Sequence, residues 1–145
     1  MNRTRFWDME TVAFRELVLD SSALVAVLLG EKKAPQIRQA LAQADRVLMS
    51  TTNRLEVCMV LHSTSGFTEE DMIRTEDKFR ISLVPVSEKH AVCGFEAFRN
   101  YGKGNHRASL NFGDCHAYAT AKLAGLPLLY IGNDFGHTDL ESVEI

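Results

Sequence analysis

The chain has 145 residues, 46% hydrophobic and 24% charged, with a formal net charge of −3. That length supports one domain with a sizeable core, and the composition is that of an ordinary globular protein. No window reaches the ~18 consecutive apolar residues of a membrane span, and an acidic balance excludes a general nucleic-acid coating protein while leaving room for an enzyme whose pocket must itself be acidic.

The opening MNRTRFWDMETVAFRE mixes charges of both signs and has no apolar stretch, so it is not a secretory signal and the expected compartment is the cytoplasm. Residues 1–15 fit the later pattern least and are set apart as an N-terminal extension, in which Phe6 and Trp7 could dock on a partner; the domain proper is expected to be 16–145. Leu17, Val18 and Leu19 form a short β-type run ending at Asp20. Ser21 and Ser22 then supply cap chemistry for the helix ALVAVLLG, which Gly30 stops. Pro35 suits the first turn of a second helix that runs to about Ala44, and Val47, Leu48 and Met49 read as the next strand.

Thr51 and Thr52 open a helix carrying Leu55, Met59 and His62 at helical spacing, ending near Gly66. The helix TEEDMIRTEDKF has an acidic first turn that complements its dipole. Leu83 to Val86 reads as a strand limited by Pro85, and a helix from Ser87 to about Tyr101 follows. After the loop GKGNHRASL comes a helix from Asn111 to Ala124 closed by Gly125, and Leu128 to Ile131 reads as a strand buried on both faces. Strands alternating with helices predict an α/β fold with a mostly parallel sheet, whose sites form beyond the carboxyl ends of the strands.

Four acids occupy that side: Asp20, Glu56, Asp114 and Asp134. Singly, each has an ordinary role. Asp20 suits an Asx turn or cap, and Glu56 and Asp114 stand three residues after Asn53 and Asn111, as in a capping box. Asp134, in GND, is a common turn residue. Jointly they come from four segments to one sheet edge, where carboxylates repel one another unless a cation lies between them. Mg²⁺ or Mn²⁺ fits such hard oxygen ligands, with Asp20 and Asp114 as the favoured ligand pair and Glu56 and Asp134 placing water or a second ion. Cys58, Cys93 and Cys115 lack paired spacing and are expected to pack as small apolar residues, and the five histidines form no zinc pattern. His116 and Cys115, beside Asp114, are likewise expected to pack, and His137, Thr138 and Asp139 to cap a terminal turn.

The segments DSSALVAVLLGE, RNYGKGNHRASLNFGDCHAYATAK and PLLYIGNDFGHTDL closely resemble VapC-type toxins of bacterial toxin–antitoxin pairs, members of the PIN-domain ribonucleases. The likeness runs from about Leu17 to the C-terminus and is most specific between Tyr101 and Asp114. It implies a three-layer α/β/α PIN-like fold, Mg²⁺- or Mn²⁺-dependent endoribonuclease activity and inhibition by a small VapB-type antitoxin. The family's acids fall on Asp20, Glu56, Asp114 and, last, Asp134, with a supporting hydroxyl at Ser22. Many PIN proteins carry Thr or Ser just before the last acid; here Gly132 and Asn133 precede it, so that corner binds water differently.

Arg99, Lys103, His106 and Arg107 cluster ahead of Asp114 with Tyr101 among them, cations for phosphates and a ring for an unpaired base, although a solvated loop has the same composition. The leading expectation is therefore an RNA-cleaving toxin. The alternatives are a catalytically silent PIN-fold module that binds RNA or protein, and a phosphoacceptor domain, which would want a lysine that LLYIGNDF lacks. Expected partners are RNA, an antitoxin that places an Arg or Lys among the carboxylates, and a second copy packed through Arg38–Ala44 or Asn53–Ser65.

Overall fold

The structure, a computed structural model, describes residues 15–145. Its elements run β1 (Glu16–Leu19), α1 (Ser21–Leu28), α2 (Ala34–Gln43), β2 (Arg46–Ser50), α3 (Thr51–Ser65), α4 (Glu69–Phe79), β3 (Ile81–Val84), α5 (Glu88–Tyr101), α6 (Phe112–Ala124) and β4 (Leu128–Leu129), then a 3₁₀ turn (Phe135–His137). The four strands form one parallel sheet in the order β3-β2-β1-β4. Phe6 and Trp7 lie outside the described residues.

Alternation along the central strands divides the core in two. Leu17 and Leu19 of β1 and Val47 and Met49 of β2 face one layer, where they meet Leu24, Ile37, Leu41, Val57, Leu61 and Met72 from α1 to α4. Val18 and Leu48 face the other, against Ala97 of α5 and Ala117, Tyr118 and Ala121 of α6. The result is the expected α/β/α arrangement. Both faces of β1 are buried, so its run is continuously apolar, as a central parallel strand requires.

Two strands differ from expectation. β3 begins two residues earlier because Arg80 takes a left-handed conformation (φ 56°) that ends α4 and releases the chain into the sheet at once. It stops at Val84, since Pro85 has no N–H to continue the ladder. β4 pairs with β1 only at Leu128 and Leu129, because β1 has already turned into α1 beyond Leu19; the next free donor, Ile131 N, bonds Ser22 Oγ instead. The chain end covers the outer edge of β4, with Leu128 N donating to Glu141 O and Val143 N to Leu128 O. Thr138 Oγ1 donates to Phe135 O, and Asp139 accepts from Tyr118 and Lys122, so the terminal turn has the structural role expected of it.

The core face of α3 is Asn53, Val57 and Leu61, while Leu55 and Met59 point outward. Arg54, on the same helix, is clamped by Glu69 and Glu76 of α4, with Nη2–Oε2 at 2.6 Å to Glu69. Only 17% of the Arg54 side chain and 18% of Glu76 are exposed, so that bond is shielded from water, while Glu69 reaches in from the solvent side; together they hold α3 against α4. Arg54→Met should cost roughly 1–2 kcal/mol of unfolding free energy, read from urea denaturation, because it leaves the sheltered Glu76 carboxylate without its partner, whereas the exposed Glu69 returns to water.

Candidate active site

Strand order places β1 at the centre, with β2 and β3 wound to one side and β4 added on the other. The connections therefore diverge at the carboxyl end of β1, the position where open parallel sheets hold their ligands. Asp20 is the first residue past that strand end, and it is 2% exposed. Its Oδ2 accepts from Ser22 N at 3.1 Å and from Ser22 Oγ at 2.5 Å, so it does cap α1. Its Oδ1 is buried with no hydrogen-bond partner. A cap alone has no use for an unpaired buried carboxylate oxygen. Ser22 also accepts from Ile131 N at 3.0 Å, which ties the start of α1 to the segment leaving β4.

Glu56 departs from the capping-box expectation. The N-cap of α3 is Ser50, so Glu56 stands in the second turn, too far along to reach the helix start. Its Oε1 instead accepts from Ser21 Oγ at 2.5 Å and from Asn53 Nδ2 at 3.3 Å. The same Asn53 amide donates to Gly113 O at 3.0 Å and so fastens α3 to the first turn of α6. A Cβ on Gly113 would stand 2.5 Å from Glu56 Oε2, so glycine is required for the carboxylate to lie against α6. Asp114 keeps its cap role, with Asn111 N donating to its Oδ2 at 3.0 Å and its own N–H donating to Asn111 Oδ1 at 2.9 Å. Asp134 is exposed just ahead of the 3₁₀ turn, without a side-chain cap bond.

Proximity is visible in the titration of these groups. Burial, then the charges of Asp114 and Glu56, push Asp20 from 3.8 up to about 7 against the lowering effect of Ser22. Burial also raises Asp114 to about 6, reinforced by Asp134 and Glu56. Among the described residues, no three His, Cys, Asp or Glu side chains are gathered into a closed metal cage. The donors nevertheless fit a hydrated hard cation: Mg²⁺ is held by one or two carboxylates and keeps most of its waters. An unpaired buried oxygen on Asp20 and a second half-buried carboxylate at Asp114 offer that much and no more.

Three contributors were not among the expected site residues: Ser21, Asn53 and Gly113. The i,i+3 spacing of Asn53 and Glu56 put both on one helix face, a usable signal. Nothing local pairs Ser21 with a residue 35 positions away. In the basic loop, Arg99, Lys103 and Arg107 are exposed. Tyr101 and His106 pack on each other with ring centroids 5.2 Å apart, Tyr101 also lies against Tyr118, and His106 Nδ1 accepts from Ala108 N. Cys115 is buried, Cys58 and Cys93 are half-buried, and all three are free, as expected for packed residues.

The family model for the PIN domain matches residues 17–140. Ribonuclease VapC30 of Mycobacterium tuberculosis is 42% identical over 134 residues, covering 89% of this chain and 99% of that protein. Among solved structures, VapC20 of Mycobacterium tuberculosis, a sarcin–ricin-loop-cleaving toxin, aligns with a TM-score of 0.70 at 13% identity over 89% of this chain and 99% of its own. A toxin–antitoxin complex from Klebsiella pneumoniae aligns at 0.64 with 19% identity, covering 85% of this chain and 92% of the other. The chain belongs to the PIN-domain family, among the VapC ribonucleases.

Raised carboxylate pKa values favour the folded state in acid. The contribution is fully present below about pH 4 and is lost as pH climbs through the folded values near 6 and 7. Asp20→Asn removes the larger share, which for a shift from 3.8 to about 7 is on the order of 4 kcal/mol. In chelator, thermal melts should show this variant more stable than wild type at pH 8 and little different at pH 4. Added Mg²⁺ should close the gap at pH 8 by stabilising only the wild type.

Proposed function

We propose that this protein is the ribonuclease toxin of a VapBC-type toxin–antitoxin pair, hydrolysing RNA phosphodiester bonds with the help of Mg²⁺ or Mn²⁺. The observation that carries the reading is Asp20: a buried carboxylate at the carboxyl end of the central strand, one oxygen unpaired, its pKa raised by that burial and further by two neighbouring acids. Family membership supports the reaction class, and the Klebsiella pneumoniae complex supports an antitoxin partner.

Asp20 and Asp114 would hold the cation, which supplies neutralisation of phosphate charge and a lowered pKa for water. Ser22 aims Asp20 by occupying its other oxygen, so the unpaired one faces the site. Glu56, fixed by Ser21 and Asn53, would orient the attacking water and take its proton as the new P–O bond forms, while the ribose oxygen whose bond to phosphorus breaks would be protonated from solvent water. Asp134, exposed near Asp114, adds negative charge that favours cation binding over an empty site. Arg99, Lys103 and Arg107 would hold phosphates on either side of the cut, with Tyr101 and His106 keeping the loop in shape.

The antitoxin would set an Arg or Lys among these carboxylates, neutralising them as the cation does. A second copy would pack on α3, which exposes Leu55, Met59 and Val60. No helix among the described residues is long and apolar enough to cross a membrane.

Asp20→Asn and Asp114→Asn should each lower Mg²⁺-dependent RNA cleavage on the order of 100-fold or more with an unchanged circular dichroism spectrum. If Asp114→Asn protein cut RNA as fast as wild type, the site assignment would be wrong. Gly113→Ala should cost only ~1 kcal/mol or less of stability, because Ala suits a helix and the Glu56 carboxylate can swing away. Its cleavage rate should nonetheless fall between ~10- and ~100-fold, since that swing removes Glu56 from its set position.

A further inference from the structure

At the end of the sheet opposite the acids, a groove of about 730 Å³ opens between α2, the amino end of β1 and the last residues of the chain. Its apolar lining comes from Leu17, Ala40, Ala44, Leu126, Pro127 and Val143. Ala40, Leu126, Pro127 and Val143 are only half-buried, and Ile145 at the border is 38% exposed. Ala40 and Ala44 are one helical turn apart on the same face, and alanine at both leaves space that a larger side chain would take. Around them α2 sets Gln36, Gln39 and Gln43, uncharged side chains whose amides can pair with the peptide groups of a covering chain.

The chain itself enters at this groove. Arg15, the first described residue, lines it and is pinned there. Its N–H donates to Asp45 Oδ2 at 2.9 Å, its carbonyl accepts from Asp45 N at 2.7 Å, and its Nη1 donates to Gln43 Oε1 at 3.2 Å. Residues 1–14 therefore start from a fixed point on the rim. The family match begins only at residue 17, so this segment is an addition to the shared domain. From Phe6 to Phe14 it carries Trp7, Met9, Val12 and Ala13 as well, six apolar residues in nine. A stretch so apolar gains by leaving water, and its large aromatic side chains gain the most. Eight peptide units link Trp7 to Arg15, a reach of up to about 28 Å, ample to return across the groove. The segment also brings Arg3 and Arg5, and Glu144 on the groove's border makes no ion pair among the described residues.

We propose that residues 1–14 fold back on their own chain and dock in this groove, with Trp7 and its apolar neighbours covering Ala40, Leu126 and Val143. Tethering decides for this occupant over a separate partner. A segment fixed at the rim meets the groove at an effective concentration of about millimolar, which a free protein has to outcompete. The docked segment clasps α2 to the chain end, whose hold on β4 is the pair of bonds from Leu128 N to Glu141 O and from Val143 N to Leu128 O. Docking there braces the domain, leaves the candidate active site open and is independent of whether that site cuts RNA.

Trp7 is the only tryptophan of the chain, so its fluorescence reads the docking directly. In the full-length protein its emission should lie to the blue of the urea-unfolded chain, and acrylamide should quench it several-fold less. Ala40→Arg puts a long charged side chain into the groove, on a helix that tolerates arginine. With an unchanged circular dichroism spectrum, that variant should show Trp7 emission and quenching close to those of the unfolded chain. Val143→Arg serves the same purpose from the chain end if Ala40→Arg loses helix content. Trp7→Ala should lower the melting temperature by roughly 3–6 °C, and its loss and that of Ala40→Arg should fall short of adding in the double variant. A Trp7 as open to acrylamide in the folded wild type as in urea overturns the docking. So does a Trp7 that stays protected in the folded groove variant, because it is then buried elsewhere. Protection that disappears on dilution puts the segment in the groove of a second copy, and overturns docking on its own chain.

Discussion

Burial of Asp20 is the constraint on which the rest of the site depends. A carboxylate that is 2% exposed, with one oxygen held by Ser22 and the other by nothing, raises the free energy of the folded chain at neutral pH. Two further acids close enough to push its pKa higher make the cost larger. Such an arrangement persists because the hydrophobic layers on both sides of β1 leave Asp20 nowhere else to go. A proton relieves it, which is why the pKa lies at about 7, and under the reading proposed above a bound cation would do the same. Much of the surrounding hydrogen bonding, from Ser22 to Ile131 and from Asn53 to Gly113, serves to keep the acids from separating.

The supports are distributed so that each acid is anchored by a different physical device. Asp20 is a helix cap at a strand end, and Asp114 is half of a reciprocal capping box with Asn111. Glu56 has no cap role and relies on Ser21, Asn53 and the missing side chain of Gly113. Asp134 has no side-chain cap bond and lies in the open. Side-chain anchoring thus falls from the sheet outward, from the buried, Ser22-held carboxylate of Asp20 to exposed Asp134.

The layered fold was legible because each strand is a short apolar run and five of the six helices begin with an Asp, Ser, Thr or Asn cap, the other being marked by Pro35 in its first turn. Errors came where two signals competed. At β3 the left-handed Arg80 released the strand earlier than the apolar residues suggested, and at β4 the early end of β1 left Ile131 without a strand to pair. Glu56 does pair with Asn53, but through the Asn53 side-chain amide and within the helix, because Ser50 rather than Asn53 is the cap that the capping-box spacing implied. Outward-facing Leu55 and Met59 show the same limit: helical spacing marks a stripe without saying which side the core takes.

The amino-acid sequence by itself determined the order of elements, the acids at their ends and the caps of Asp20 and Asp114, all set by contacts within three residues. Only the tertiary structure decided that Asp20 is buried with a free oxygen, that Ser21 holds Glu56 across 35 positions and that Asn53 meets Gly113 across 60. It also decided that Phe112, an ordinary core residue by composition, stands exposed at the start of α6. The reason is physical: capping is closed by local backbone geometry, whereas burial and long-range bonds depend on which faces the sheet and its two helical layers bring together.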